Sequence, residues 1–198
     1  MPLALGARKH VLTLFALILT GQALAVGVAR AEAAPPSDSL GVYRGSANPN
    51  GVGAFGAWVG ARPGVAVDFL AKSSWSDISR PEWWADGWAG SGYDVVYSVP
   101  LLPDSGGTLQ QGAEGAYNEH FRRLAQVLVS RGQGDAVLRL GWEMNGDWYR
   151  WSIKNGAAAF AAYWRQVVTT MRSVSPSFKF DFTVNQEFVR RALRVADA

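Results

Sequence analysis

Apolar residues along the chain fall into short runs that alternate with longer stretches where they recur every three to four positions. The runs predict five strands, at 40–45 (LGVYRG), 65–71 (VAVDFLA), 93–102 (YDVVYSVPLL), 136–142 (AVLRLGW) and 178–185 (FKFDFTVN). Pro103, Gly106 and Gly107 end the third. The recurring stretches predict helices. Over 115–131, Phe121, Leu124, Ala125, Leu128 and Val129 form one stripe, with Arg122, Arg123 and Gln126 away from it. Over 156–174, Phe160, Trp164, Val167, Val168 and Met171 do the same, with Asn155 as the N-cap and Pro176 as the stop. Shorter helices are predicted around 51–60 and 80–89.

This alternation predicts an α/β fold whose parallel strands are joined by helical crossovers. Two architectures satisfy it, an open doubly wound sheet and a (β/α)₈ barrel. No G-x-G-x-x-G or G-x-x-x-x-G-K-[ST] follows any predicted strand, so nucleotide binding has no support. Polar and aromatic clusters follow strand ends instead: Ser73-Ser74-Trp75 after the second, and Trp142 to Trp151 after the fourth. A barrel builds its site at that end of its strands. A complete barrel takes about 250 residues, more than this chain with its five strands offers, so either the chain is part of a barrel or the fold differs.

The N-terminus changes the reading of composition. Arg8, Lys9 and His10 precede a nearly uncharged apolar run, Val11 to Val28, and Ala29-Arg30-Ala31 follows with small residues at signal-peptidase spacing. The expectation is a secretory signal over 1–31, a Pro/Ser linker over 32–39 and one domain over 40–198. The signal takes three of the 19 basic residues and none of the 16 acidic ones, leaving 16 of each sign. A neutral mature chain gives no support for nucleic-acid binding. The chain has no cysteine, so a secreted form relies on its core alone. With His10 in the signal, His120 is the single remaining histidine, which excludes multi-histidine metal sites. Its neighbours place it on a helix, surface or half-buried. No metal and no cofactor is expected. Neither nucleic acid nor, after signal removal, a membrane is expected as a partner.

The densest chemical signal is Leu138 to Trp151, LRLGWEMNGDWYRW. Strand alternation puts Val137, Arg139, Gly141 and Glu143 on one face, and Ala136, Leu138, Leu140 and Trp142 on the other. Glu143 then projects at the strand's end, followed by Asn145, Asp147, Trp148, Tyr149 and Trp151. Glycosidic cleavage needs one carboxylic acid to protonate the leaving oxygen and a second carboxylate to act at the sugar carbon. A glutamate against indole rings can retain its proton, and flat aromatic faces suit the apolar faces of sugars. Of the nine tryptophans, Trp164 reads as core. Trp148 and Trp151 read as ligand contacts, and Trp58, Trp83, Trp84 and Trp88 stay open between the two roles.

RLGWEMNGDWYRW resembles the segment around the acid/base glutamate of glycoside hydrolase family 26, which holds β-mannanases, β-1,3-xylanases and mixed-linkage glucanases. Arg139, Glu143, Met144, Asn145, Gly146, Trp148 and Trp151 carry the match. GVYRG, Trp75 and FTVNQ extend it loosely over about residues 40–186. The resemblance implies an α/β fold of the (β/α)₈ TIM-barrel type with only about the first five β/α units present, retention of anomeric configuration, and Glu143 as general acid/base. It implies sugar subsites formed by Trp75, Trp142, Trp148 and Trp151, with Arg139 and Asn145 binding hydroxyls or holding Glu143. The implied activity is endo-cleavage of β-mannan, or of β-1,3-xylan or mixed-linkage glucan, and the implied partner is that polysaccharide substrate, met by a monomeric chain. Two departures stand out. Trp142 occupies the position where the family commonly has histidine. The family's nucleophile, a glutamate ending the seventh strand, has no counterpart among five strands, so the nucleophile is expected to be absent from a C-terminally truncated chain. Glu187 is the nearest substitute, but the basic run that follows it does not resemble the family. The alternatives are a non-catalytic sugar-binding remnant, or a fragment whose open sheet edges favour aggregation.

Overall fold

The computed structural model describes residues 37–187 and residue 189, all within the compact unit Ala33–Ala198. The predicted signal segment lies outside the described residues. Five strands, β1 (Ser37–Val42), β2 (Pro63–Phe69), β3 (Asp94–Val99), β4 (Val137–Leu140) and β5 (Lys179–Asp181), form one parallel sheet in the order β1-β2-β3-β4-β5. A doubly wound sheet reverses its strand order at a switch point, and these five strands show no reversal. The fold is α/β, with a helical crossover in every connection: α1 (Pro49–Val59), α2 (Trp75–Ser79) and α3 (Glu82–Trp88), α4 (Leu109–Ala113) and α5 (Asn118–Ser130), and α6 (Ala157–Arg172).

The two faces of the sheet differ. Register aligns Ala66 with Val95, Asp68 with Tyr97, Tyr97 with Leu138, and Val99 with Leu140. These side chains therefore share one face, and all are buried. They join Ile78, Trp88, Phe121, Leu124, Leu128, Phe160, Tyr163 and Val167 in a single core cluster. Burial of each such large side chain contributes roughly 1.5–3 kcal/mol. The helices pack on one another as well, α2 and α3 against α5, and α4 and α5 against α6. The opposite face carries Val65, Val67, Phe69, Val137, Arg139 and Asp181, all half-buried, with Val96 and Ser98 of the central strand β3 buried among them.

Several boundaries depart from expectation. β1 starts at Ser37, inside the predicted linker, because its first residue pairs with Pro63 across an irregular register. β3 stops at Val99, since Pro100 has no N–H for the ladder. In α5 the buried face takes Val127 and leaves Val129 exposed. Gly156, not Asn155, caps α6; Asn155 ends a 3₁₀ turn (Ile153–Asn155), and its amide donates to the Arg150 carbonyl at 3.1 Å. Ser74 and Thr108 cap the short helices α2 and α4, each accepting an N–H three residues on.

The helix-facing layer contains one carboxylate. Asp68 is fully buried and accepts the Ala47 N–H and the Trp88 indole N–H, both at 2.7 Å. The Tyr97 phenol beside it donates to Gln133 and is pushed above its ordinary range, by burial first and by the Asp68 charge second.

Candidate functional site at the ends of β4 and β5

β4 ends at Leu140, and the chain then turns sharply. Gly141 sits at φ +55, where a side chain is strained, and an added Cβ would lie 2.7 Å from Leu101 Cδ1. Glu143 adopts φ +53, one of two non-glycine residues with positive φ among the described residues. An extended strand therefore does not deliver Glu143, contrary to the alternation argument. Backbone bonds hold the turn from both sides: Gly141 N–H to Val99 O at 3.0 Å, and Glu143 N–H to Thr183 O at 2.9 Å. A non-glycine residue in this region costs on the order of 1–2 kcal/mol. Such outliers persist where the surroundings over-determine them, often at functional sites.

The Glu143 carboxylate accepts the Asn185 side-chain N–H at Oε1, 3.0 Å. Asn145 meets Asn185 through two reciprocal bonds. Its amide donates to the Asn185 carbonyl at 2.9 Å and accepts the Asn185 backbone N–H at 2.7 Å. Beside this group, Arg139 forms an ion pair with Asp181 at 2.6 Å, and the Thr183 hydroxyl donates to the same carboxylate oxygen at 3.1 Å. Arg139 thus engages its register partner on β5. Glu187 is exposed, and its backbone N–H reaches Asn185 Oδ1 at 3.1 Å.

The aromatic residues divide. Trp148 is 47% exposed and lies over Gly146, whose added Cβ would meet the indole at 2.6 Å. Trp151, expected as a sugar contact, is only 1% exposed; it stacks on Tyr149 at 4.4 Å and donates its N–H to the Trp142 carbonyl at 2.9 Å. Trp142, also expected to bind sugar, is 7% exposed and gives its N–H to the Tyr149 hydroxyl at 2.8 Å. Its ring meets Phe69 at 5.3 Å, on the half-buried face of the sheet, because the Gly141 turn breaks the alternation that assigned it to the helix side. Both indoles are structural support below the surface. Trp75 is half-buried. It opens α2, and its ring stacks on His120 of α5 at 4.6 Å and 9°, with Tyr117 at 4.3 Å. His120 is half-buried, as expected. Of the four open tryptophans, Trp88 is core, Trp84 is half-buried, and Trp58 and Trp83 are exposed.

Sequence reasoning passed over Asn185, Asp181, Tyr43 and Phe69. Tyr43 follows β1, is exposed, and meets Phe69 edge-on at 5.2 Å. Ring contacts then run from Phe69 to Trp142, Tyr149 and Trp148. They form a continuous aromatic shelf across the strand ends, open to solvent at Tyr43 and Trp148. Arg150 ties the loop after β4 to the loop after β3 by donating to the carbonyls of Pro103, Gly106 and Gly107. A hollow of about 620 Å³ beside Arg150 has no carboxylate in its lining. No group of three or more His, Cys, Asp or Glu side chains arranged to hold a metal occurs among the described residues. Among them, too, no helix is long and apolar enough to cross a membrane.

No protein-family model and no curated protein matches this chain.

Proposed function

We propose that the chain belongs to a secreted, retaining endo-glycoside hydrolase of the family 26 type, with β-mannan as the favoured substrate and Glu143 as general acid/base. The observation that carries this reading is the conformation of Glu143: a strained backbone at the strand ends, with its carboxylate oriented by Asn185 next to an aromatic shelf. Glu143 protonates the glycosidic oxygen as the bond breaks. It then takes a proton from the water that releases the glycosyl-enzyme. Trp148 and Tyr43 offer flat faces to the sugar rings, and Trp142 and Trp151 brace the shelf from below.

The barrel is part of the same proposal. Strand order without reversal is the winding of a (β/α)₈ barrel. In such a barrel the sheet face turned away from the helices, with Val67, Val96, Val137 and Arg139, becomes the interior. Beyond β5, an apolar groove of about 530 Å³ is lined by Phe160, Trp164, Phe182 and Val184, with the buried Trp164 N–H lacking a partner among the described residues. Asp181 is not assigned as the nucleophile, since its carboxylate is ion-paired with Arg139 and accepts the Thr183 hydroxyl. That engagement of Asp181 also favours a second reading, a glycan-binding protein that uses the shelf without hydrolysis.

Reducing-sugar release from β-mannan, β-1,3-xylan and mixed-linkage glucan, compared with a Glu143→Gln control, tests the proposal. Release that disappears in the control supports acid/base catalysis and names the substrate. A folded chain that releases nothing, yet is retarded on a mannan affinity gel through Trp148, leaves glycan binding as the function.

A further inference from the structure

We infer that Asn145 and Asn185 form a two-residue clamp that positions Glu143 and assigns its transferable proton to Oε2. The inference rests on the reading of Glu143 as the acid/base. Neither asparagine is itself a catalytic residue: Asn185 acts on Glu143, and Asn145 acts through Asn185.

The ladder between β4 and β5 has ended by Asp181, so Asn185 lies four residues beyond its last strand residue. Backbone at such a distance needs another anchor. The Asn145 carboxamide supplies it by presenting one donor and one acceptor to the backbone of Asn185, as a neighbouring peptide group does in a sheet. The Asn185 side chain is then fixed in its turn. Its Oδ1 accepts the Glu187 N–H at 3.1 Å, so the amide group and not the oxygen faces Glu143. That orientation follows from the bonding, because an oxygen turned toward the carboxylate would leave two acceptors facing each other.

The consequence concerns the proton. Oε1 receives an N–H and is therefore an acceptor. A proton on its bonded lone pair would oppose that N–H. Oε2 has no hydrogen-bond partner among the described residues, so the proton resides there and passes from there to the glycosidic oxygen. The Glu143 N–H to Thr183 bond and the positive φ fix the main chain behind the carboxylate. The clamp fixes its head.

Two measurements test this. In ¹H–¹⁵N spectra, the Asn185 side-chain resonances should shift as Glu143 takes up its proton, and the step should vanish in Glu143→Gln. That control separates Glu143 from Asp181 and Glu187, the other acids nearby. In Asn145→Ala, with folding verified by its thermal transition, the step should be lost, and Asn145→Asp should restore part of it through the retained acceptor. An Asn185 amide indifferent to Glu143, or a step unchanged in Asn145→Ala, overturns the clamp. The second measurement is kcat/KM, which reports the first bond-breaking step. Asn185→Ala should lower it about 10- to 100-fold on β-mannan, and leave it unchanged on a dinitrophenyl glycoside, whose leaving group needs no proton. Equal losses on both substrates overturn the positioning role. A parent chain that cleaves neither substrate refutes the proposed function instead, and the spectra still decide the clamp.

Discussion

The segments leaving β2 and β4 both carry serine, tryptophan and acidic residues, yet they do opposite things. After β2 the chain enters a helix within a few residues, with Ser74 as cap and Trp75 as its first residue. The indole is drawn into the helix layer against His120 and Tyr117. After β4 no α-helix begins until Ala157. The Gly141 turn, the Arg150 bonds to the neighbouring loop and the buried Trp151 hold an irregular loop in place instead. Aromatic density alone does not mark a binding surface. Each indole's role depends on whether a helix or a loop follows it, and on which side offers its N–H a partner.

The largest expected effect breaks the loop from inside. Trp151→Ala removes a fully buried indole and should cost about 3–5 kcal/mol in denaturant unfolding. Trp148→Ala, three residues earlier and exposed, should stay within about 0.5 kcal/mol, while weakening retention on mannan gels. Comparable destabilisation by the two would mean that both indoles are core, and the shelf would lose its outer contact.

The Gly141 and Glu143 pair comes next. The two residues share nearly the same φ, +55 and +53, but only one is glycine. Gly141→Ala adds strain and a close approach to Leu101, and should destabilise by about 1–2 kcal/mol or more. Glu143→Gly should stabilise by about 1 kcal/mol relative to Glu143→Ala. A glycine that gains nothing over alanine at 143 would show that the backbone there is not strained, and would remove the main physical mark of the site.

The sequence made some of this legible and hid the rest for identifiable reasons. Strands β2, β3 and β4 and helices α5 and α6 appeared because their apolar periodicity is strong and local. Strand ends were overdrawn because apolar runs continue past the last ladder bond, as at Leu101 and Leu102 in the core and at Phe182 on the surface. The five-residue helices α2 and α4 are too short for a period and announce themselves only through their caps. Glu143 was found from its chemical surroundings, but the alternation offered for its direction fails at Gly141. Asn185 stayed hidden because its partner lies 42 residues away in sequence. Only the adjacency of β4 and β5 brings them together.

The smallest effect concerns the β2 side of the comparison. Burial lowers the His120 imidazole below its ordinary range, and the neighbouring Glu119 opposes this more weakly. The folded chain therefore prefers neutral His120, while the unfolded chain titrates near the usual value of about 6.5. Below that value the unfolded state binds a proton that the folded state resists. The contribution of His120 to stability is complete above about pH 6.5 and is lost as pH falls through its folded-state value. Denaturation midpoints should decline modestly from about pH 7.5 to about pH 5, and tryptophan emission should change as Trp75 loosens. In His120→Phe, which retains a ring over Trp75, this part of the slope should flatten. An unchanged slope in that variant would assign the pH dependence to other groups and leave the Trp75 stack indifferent to charge. Trp75 would then have no acid-sensitive route out of the helix layer, which would sharpen its contrast with Trp148.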